Sequence, residues 1–304
     1  MVEKIIITGS SGFVGKNLSV FLQHRGYEIN CLSLRKENWK IAFPKSADAI
    51  IHLAGKAHDT SNVSNPDEYY KVNRDLTIEL FNEFLNSEIE KFFYFSSVKA
   101  VADSVEDILR EDVEANPLTH YGKSKAEAER YILSQNLPEG KKVFIIRPCM
   151  IHGPGNKGNL NLLYKIVVKG LPWPLAAFHN QRSFLGIDNL NYLIHQMLIN
   201  ENLESGIYNF ADDEPLSTNE LITIINKALN KKAKLWPISK GLVEKMADLG
   251  DRLNLPLNSE RLKKLTESYV VSNQKIKSAL GIEKLPLSAE EGIIKTIKSF
   301  KKEK

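Results

Sequence analysis

The 304-residue chain has only two cysteines, Cys31 and Cys149, and no CxxC or Cys/His cluster. That excludes a disulfide scaffold and any sequence-visible metal site. No uninterrupted apolar stretch reaches about 18 residues, so no spanning helix is expected. Charge of one sign is also missing: 41 basic residues stand against 37 acidic ones, and the lysines are scattered over the whole length. This favours a solvated coat over a nucleic-acid-binding stripe. The chain starts on a strand-like run with no leader, so reduced thiols and a cytoplasmic setting are expected. Repeats and low-complexity segments are absent. What is present is 42% hydrophobic residues, enough for a core without staples. At about 100–200 residues per domain, the length means one large domain or two joined lobes. Both cysteines lie in apolar runs and are expected to be small buried hydrophobes.

Strand-like and helix-like patterns alternate through the first half. Lys4–Thr8, Tyr27–Leu34, Ala47–Leu53, Lys91–Ser96 and Lys142–Arg147 read as strands. Phe13–Arg25, Asp67–Ser87 and His120–Gln135 read as helices. Such alternation implies a parallel sheet covered on both faces. Between Arg35 and Ser46 only about a dozen residues connect two strands, too few for a helix plus a strand. The sheet edge beside the second strand is therefore expected to be trimmed, with Trp39–Phe43 at most a minimal edge strand. Beyond residue 150, Pro and Gly cluster, then short strands and four helices follow. Two of those helices open with capping boxes, Ser217–Glu220 and Ser288–Glu291. The expected fold is α/β: a Rossmann-type doubly wound parallel sheet with a smaller C-terminal α/β substrate lobe. Residues 1–150 serve a dinucleotide and 151–304 a substrate, interleaved as one structural unit.

Thr8-Gly9-Ser-Ser-Gly12-Phe13-Val14-Gly15 follows the first strand and opens a helix. Gly9 permits the tight turn, Gly12 lets backbone approach a pyrophosphate, and Gly15 lets helix pack on strand. A P-loop is rejected. Gly15-Lys16 precedes Asn17 rather than Ser or Thr, and Ser10 stands where a P-loop needs its first Gly. The GxxGxxG spacing resembles the short-chain dehydrogenase/reductase superfamily. More narrowly, it resembles the extended branch of NAD(P)-dependent nucleotide-sugar epimerases and dehydratases. The second strand ends Cys31-Leu-Ser33-Leu-Arg35-Lys36, without the acid that would grip an NAD ribose. Ser33 and Arg35 suit a 2′-phosphate instead, so NADP(H) is favoured and NAD(H) is the alternative.

Tyr121 and Lys125 are four apart on one helix face. An ammonium there is expected to lower the phenol pKa and to hold the nicotinamide ribose, while Tyr121 exchanges a proton with substrate. Ser96 and Ser97 end a strand at the carboxyl edge, where open sheets bind ligands. The resemblance makes Ser97 the residue that orients the reacting oxygen. Ser97, Tyr121 and Lys125 together favour an enzyme over a dinucleotide sensor on the same fold.

The resemblance implies further roles. Cofactor contacts fall on Gly9, Gly12, Phe13, Val14, Gly15, Ser33, Arg35, Leu53, Ala54, Gly55 and Asn73. His52, before Leu53, is read as a structural histidine. Substrate contacts fall on Ser97, Lys99, Asn159, Leu160 and Arg182, with Arg261 a second diphosphate candidate. Lys99 stands where dehydratases often carry an acid, which argues against 4,6-dehydration. Met150, His120 and His152 depart from the family pattern at positions expected near the sugar. The implied activity is hydride transfer at C4 of a nucleotide-linked hexose, UDP-linked by expectation. A 4-keto-sugar reductase or 4-dehydrogenase is favoured, and a UDP-hexose 4-epimerase with retained NAD is the alternative. A homodimer through helices 67–87 and 120–135 is expected, with no metal, nucleic-acid or membrane partner.

Overall fold

The computed structural model describes residues 3–56, 65–156, 160–253 and 258–302. In chain order the first half contains β1 (Lys4–Thr8), α1 (Phe13–Gln23), β2 (Glu28–Leu32), β3 (Ala49–His52), α2 (Pro66–Tyr69), α3 (Leu76–Leu85), β4 (Lys91–Phe95), β5 (Ile108–Leu109), α4 (His120–Ser134) and β6 (Lys142–Pro148). The second half contains β7 (Met150–His152), α5 (Leu160–Val168), β8 (Phe184–Gly186), α6 (Ile187–Ile199), β9 (Gly206–Phe210), α7 (Thr218–Ala228), α8 (Lys240–Leu253), α9 (Ser259–Thr266), β10 (Val270–Val271), α10 (Gln274–Leu280) and α11 (Ala289–Lys302). Seven helices, rather than the expected four, lie beyond residue 150 among the described residues. Three of them, α5, α9 and α10, have nine residues or fewer. Helices that short show too few turns for a periodic signal.

The main sheet has six strands in the order β2-β1-β3-β4-β6-β9, and every neighbouring pair is parallel. Its strands are apolar on both faces because each face is covered. Ile5 and Ile7, Phe93 and Phe95, and Phe144 and Ile146 share one core with α1 and α6. Ile6, Phe92 and Tyr94, and Val143 and Ile145 share the opposite core with α3 and α4. The period-two split follows from the strand pleat. β9 comes from beyond residue 150 yet pairs with β6, and β5 pairs with β10. The two halves of the chain are therefore interleaved. A second core under α5, α7, α8 and α11 makes the smaller lobe.

The edge beyond β2 is trimmed. Residues 34–43 form turns, not a strand, and drive Trp39 and Phe43 into the core under β2. Cys149 is buried, but Cys31 is exposed, contrary to the expectation for both. β2 is the edge strand of the sheet, and its outer positions are only partly covered. The expected single helix over 67–87 is interrupted by a π-helical turn at Tyr70–Asp75. Such turns often mark functional positions, and this one carries Asn73.

Candidate active site

The site is built where the strands of the main sheet end. Gly9 has φ +69°, and a Cβ there would lie 2.6 Å from the Ala54 nitrogen. A Cβ on Gly15 would lie 2.4 Å from the Gly9 carbonyl oxygen, so α1 can approach the turn only with glycine at that position. Gly12 caps α1 without a side-chain bond, and the first turn carries no acid. The amide donors and the positive end of the helix are thus left for an anion. Phe13 reaches across to Gly153, at the start of the smaller lobe. Ser33 and Arg35 follow β2, whose last residue Leu32 pairs with Thr8, and both are exposed beside the glycine turn. This cradle fits a dinucleotide pyrophosphate.

Below the turn runs an ordered chain of hydroxyls and one imidazole. The Ala54 amide donates to the Thr8 hydroxyl at 3.2 Å, and that hydroxyl donates to His52 Nδ1 at 2.7 Å. His52 Nε2 donates to Thr77 at 2.8 Å, and Thr77 donates to the Asn73 carbonyl. These roles make His52 neutral, and burial pushes its pKa down to about 3. It is a structural residue that ties β1, β3 and α3 together. Asn73 spends its amide on the protein: it donates to the Lys56 carbonyl and Ser124 at 3.1 Å and accepts from the Lys56 amide at 2.7 Å. It therefore holds the segment after Gly55, and both its amide hydrogens are already bonded.

Ser97, Tyr121 and Lys125 are brought together at the end of β4. Ser97 shares a hydrogen bond with the Tyr121 hydroxyl and accepts the Lys99 amide at 3.2 Å. Lys125 donates to the Phe95 carbonyl at 2.8 Å, and its ammonium lies 4.8 Å from the centre of the Tyr94 ring. A Cβ on Gly55 would sit 3.3 Å from that ammonium. Lys125 pairs with the Phe95 carbonyl, and the expected lowering of the Tyr121 phenol is not found. Burial pushes Tyr121 upward, with the nearby Tyr69 adding to the rise, and only the Ser97 bond offsets it. Burial also lowers Lys125 to about 8, opposed by the Glu129 carboxylate.

Several participants were invisible in the sequence. Tyr69 meets Tyr121 edge-on, with ring centres 6.3 Å apart. Gly122 has to be small because a Cβ would lie 2.4 Å from the Lys99 carbonyl oxygen. Asp103 accepts from Leu118 and Thr119, and Thr119 caps α4 through the Gly122 amide. Tyr269 arrives from the smaller lobe, donates to the Ala102 carbonyl at 2.7 Å, and lies under the Lys99 ammonium at 4.0 Å. The only sequence signal for these was the glycine inside the Tyr-x-x-x-Lys spacing.

Lys99 and Arg182 converge near Ser97, although they are far apart in sequence. The Lys99 ammonium donates to the Asp103 carbonyl at 2.7 Å, and its pKa is lowered by burial and by Arg182. Arg182 donates to the Lys264 carbonyl of α9 and is itself lowered by burial. Arg261 lies on α9 and is exposed there. Asn159 lies outside the described residues. The Leu160 side chain is buried in the core of the smaller lobe, so a substrate contact there falls to its backbone. His152 does not face the site. It is fully buried, bonded to Thr296 of α11 at 2.9 Å, because α11 packs over β7. Met150 packs against the core of the smaller lobe, and exposed His120 contacts Tyr70.

A family model described as the NAD dependent epimerase/dehydratase family matches residues 5–211. The chain belongs to that family. As a member of the epimerase/dehydratase family it is an enzyme, of the nucleotide-sugar epimerase and reductase kind that uses a nicotinamide cofactor. It is similar to the UDP-glucose 4-epimerase of Vibrio cholerae, with 27% identity over 99% of this chain and 96% of that protein. It is also similar to the GDP-6-deoxy-D-mannose reductase of Pseudomonas aeruginosa, with 29% identity over 52% of this chain and 55% of that one. Its fold matches the structure of RMD from Pseudomonas aeruginosa complexed with NADPH, with TM-score 0.75, 20% identity and all of both chains covered.

Proposed function

We propose that this family member transfers hydride at C4 of a UDP-linked hexose, as a 4-keto-sugar reductase or 4-dehydrogenase. The observation that carries the reading is the Ser97–Tyr121 hydrogen bond at the carboxyl edge of β4, with Lys125 beside it. In this reading Ser97 orients the C4 oxygen and Tyr121 gives it, or takes from it, a proton. Lys125 holds the ribose beside the nicotinamide and stabilises the phenolate when Tyr121 ionises. The nicotinamide supplies or accepts the hydride when bound. Lys99 and Arg182 pair with the substrate diphosphate, with Arg261, Asn159 and the Leu160 backbone as further anchors. Binding energy from that remote end positions the sugar ring.

NADP(H) is the favoured cofactor, because Ser33 and Arg35 leave β2 beside the glycine turn without an acid for the ribose. The reading places the reaction in the cytoplasm, where the Cys31 and Cys149 thiols remain reduced, and the enzyme as a homodimer across α3 and α4. The test is a panel of UDP-, dTDP- and GDP-hexoses and their 4-keto forms with NADPH or NADH, followed by cofactor absorbance. Turnover of a UDP-sugar with NADPH is expected, and absence of turnover with every member of the panel overturns the reading.

A second reading is a UDP-hexose 4-epimerase, favoured by the near-complete overlap with the Vibrio cholerae relative. Tightly bound NAD released on denaturing the purified protein, with interconversion of UDP-hexoses without added cofactor, would establish it instead.

A further inference from the structure

Helix α8 carries four large apolar side chains that no described residue covers. Leu242, Met246, Leu249 and Leu253 are each more than half exposed. The opposite arrangement holds for Val243, Ala247 and Gly250, which are buried against the smaller lobe. At about 100° per residue, the four exposed residues fall on an arc about 60° wide, next to the buried face. In the segment leading into α8, Trp236 is 55% exposed. A contiguous apolar strip on a folded surface marks a contact site more often than an accident.

The charges around α8 say what it contacts. Lys245 and Arg252 border the apolar strip, and neither is in an ion pair among the described residues. Glu244, Asp248 and Asp251 lie on the far side of the helix. Two of these acids are engaged elsewhere: Asp251 accepts the Ser259 amide at 3.2 Å and Asp248 accepts the Ser259 hydroxyl at 3.2 Å. An apolar strip with cations along its margin and acids turned away is the pattern of a helix lying in a lipid interface. No helix among the described residues is long and apolar enough to cross a membrane. The contact is therefore a surface one, which is a different physical claim from a span.

We propose that the outward face of α8 docks on an anionic lipid bilayer, with Leu242, Met246, Leu249 and Leu253 entering the interface and Lys245 and Arg252 meeting the headgroups. Trp236 is of the type enriched at the headgroup level. A second copy of the chain is the poorer occupant. An antiparallel two-fold contact through this strip would set each copy's cationic margin close to its mate's, with the acids directed outward. The proposal is independent of which sugar or cofactor the enzyme uses.

The test is co-sedimentation of the full chain with phosphatidylcholine vesicles, with and without phosphatidylglycerol. Binding to the phosphatidylglycerol vesicles is expected, weakening as salt rises. Met246→Glu with Leu249→Glu is expected to abolish it. Lys245→Gln with Arg252→Gln is expected to weaken it roughly tenfold or more and remove the advantage of anionic lipid. Ile41→Glu, on an exposed apolar residue in the first half of the chain, is expected to change nothing. Each variant's thermal unfolding midpoint is compared with the parent's, and the two glutamine substitutions, being fully on the surface, keep the test valid if the glutamate pair perturbs folding. Three results overturn the proposal: no sedimentation with either vesicle; binding that survives both double variants; or a dimer in solution, without vesicle binding, that Met246→Glu with Leu249→Glu dissociates.

Discussion

Glu129 holds Arg147 in a buried two-pronged pair, with the closest contact at 2.6 Å, one helical turn beyond Lys125. Arg147 comes from β6, so the pair clamps α4 to the sheet. It also leaves the Glu129 carboxylate near the Lys125 ammonium, whose pKa it raises against burial. The same side chain therefore positions the helix and tunes the cation.

In the proposed reading Lys125 has to be charged to hold ribose and phenolate, and burial lowers its pKa to about 8. An alkaline limb near that pH is expected in kcat/KM. Glu129→Gln removes the charge that favours the ammonium, so the limb should move to lower pH. Arg147→Met should destabilise the fold by about 3–5 kcal/mol by leaving a buried carboxylate unpaired. A pH–rate profile and a urea titration check both. An unmoved limb in Glu129→Gln would remove the tuning role.

The folded state also responds to the Lys125 shift. Between about 8 and the ordinary 10.5, the unfolded chain keeps a proton that the folded chain has released. This group's contribution to stability therefore improves as pH rises through that window and is least favourable below it. Lys125→Met is expected to flatten that part of the curve, measured as unfolding free energy against pH.

Tyr121→Phe keeps the ring that packs on Tyr69 and removes the hydroxyl bonded to Ser97. Turnover should fall roughly 100- to 10,000-fold while dinucleotide binding is retained. Stopped-flow absorbance and a fluorescence titration separate the two. Turnover within threefold of the parent would rule out the assigned acid/base.

Gly122→Ala sets two local effects against each other. Helix propensity alone predicts a gain of about 1 kcal/mol. The added methyl, however, meets the Lys99 carbonyl oxygen at 2.4 Å, a backbone atom with little room to move. A net loss of about 1–3 kcal/mol is expected, read from chemical denaturation. Gly55→Ala should instead leave the fold close to intact and raise KM for the cofactor, since its methyl faces Lys125 and Asn73.

Arg35→Ala tests the cofactor preference. A charge-assisted bond to a 2′-phosphate is worth roughly 1.5–3 kcal/mol. The Kd for NADPH should rise roughly 10- to 100-fold, with that for NADH unchanged. Equal losses for both would mean that Arg35 does not read the phosphate.

Much of the fold was legible because it depends on short-range spacing. The strand cores of β1, β3, β4 and β6 appear as apolar runs. The Gly9–Gly15 spacing places a turn between β1 and α1, and the two capping boxes at Ser217 and Ser288 are present as read. Tyr121 and Lys125 share a helix face by periodicity alone. The misread features share a different cause. Whether Cys31 is covered depends on β2 lying at the sheet edge. Whether His152 faces a ligand depends on α11 packing over it. Neither neighbour is close in the sequence.

Local spacing along the chain already carried the chemistry: a helix start open to an anion, a phenol and an ammonium one turn apart, and hydroxyls at a strand end. Packing in three dimensions settled which hydroxyl meets Tyr121, that Lys99 and Arg182 lie together with Tyr269, and that burial lowers the Lys125 pKa. Spacing of three or four residues is imposed by helix geometry. Contacts between residues on different elements are set by how the covered sheet packs its layers, and no local pattern encodes them.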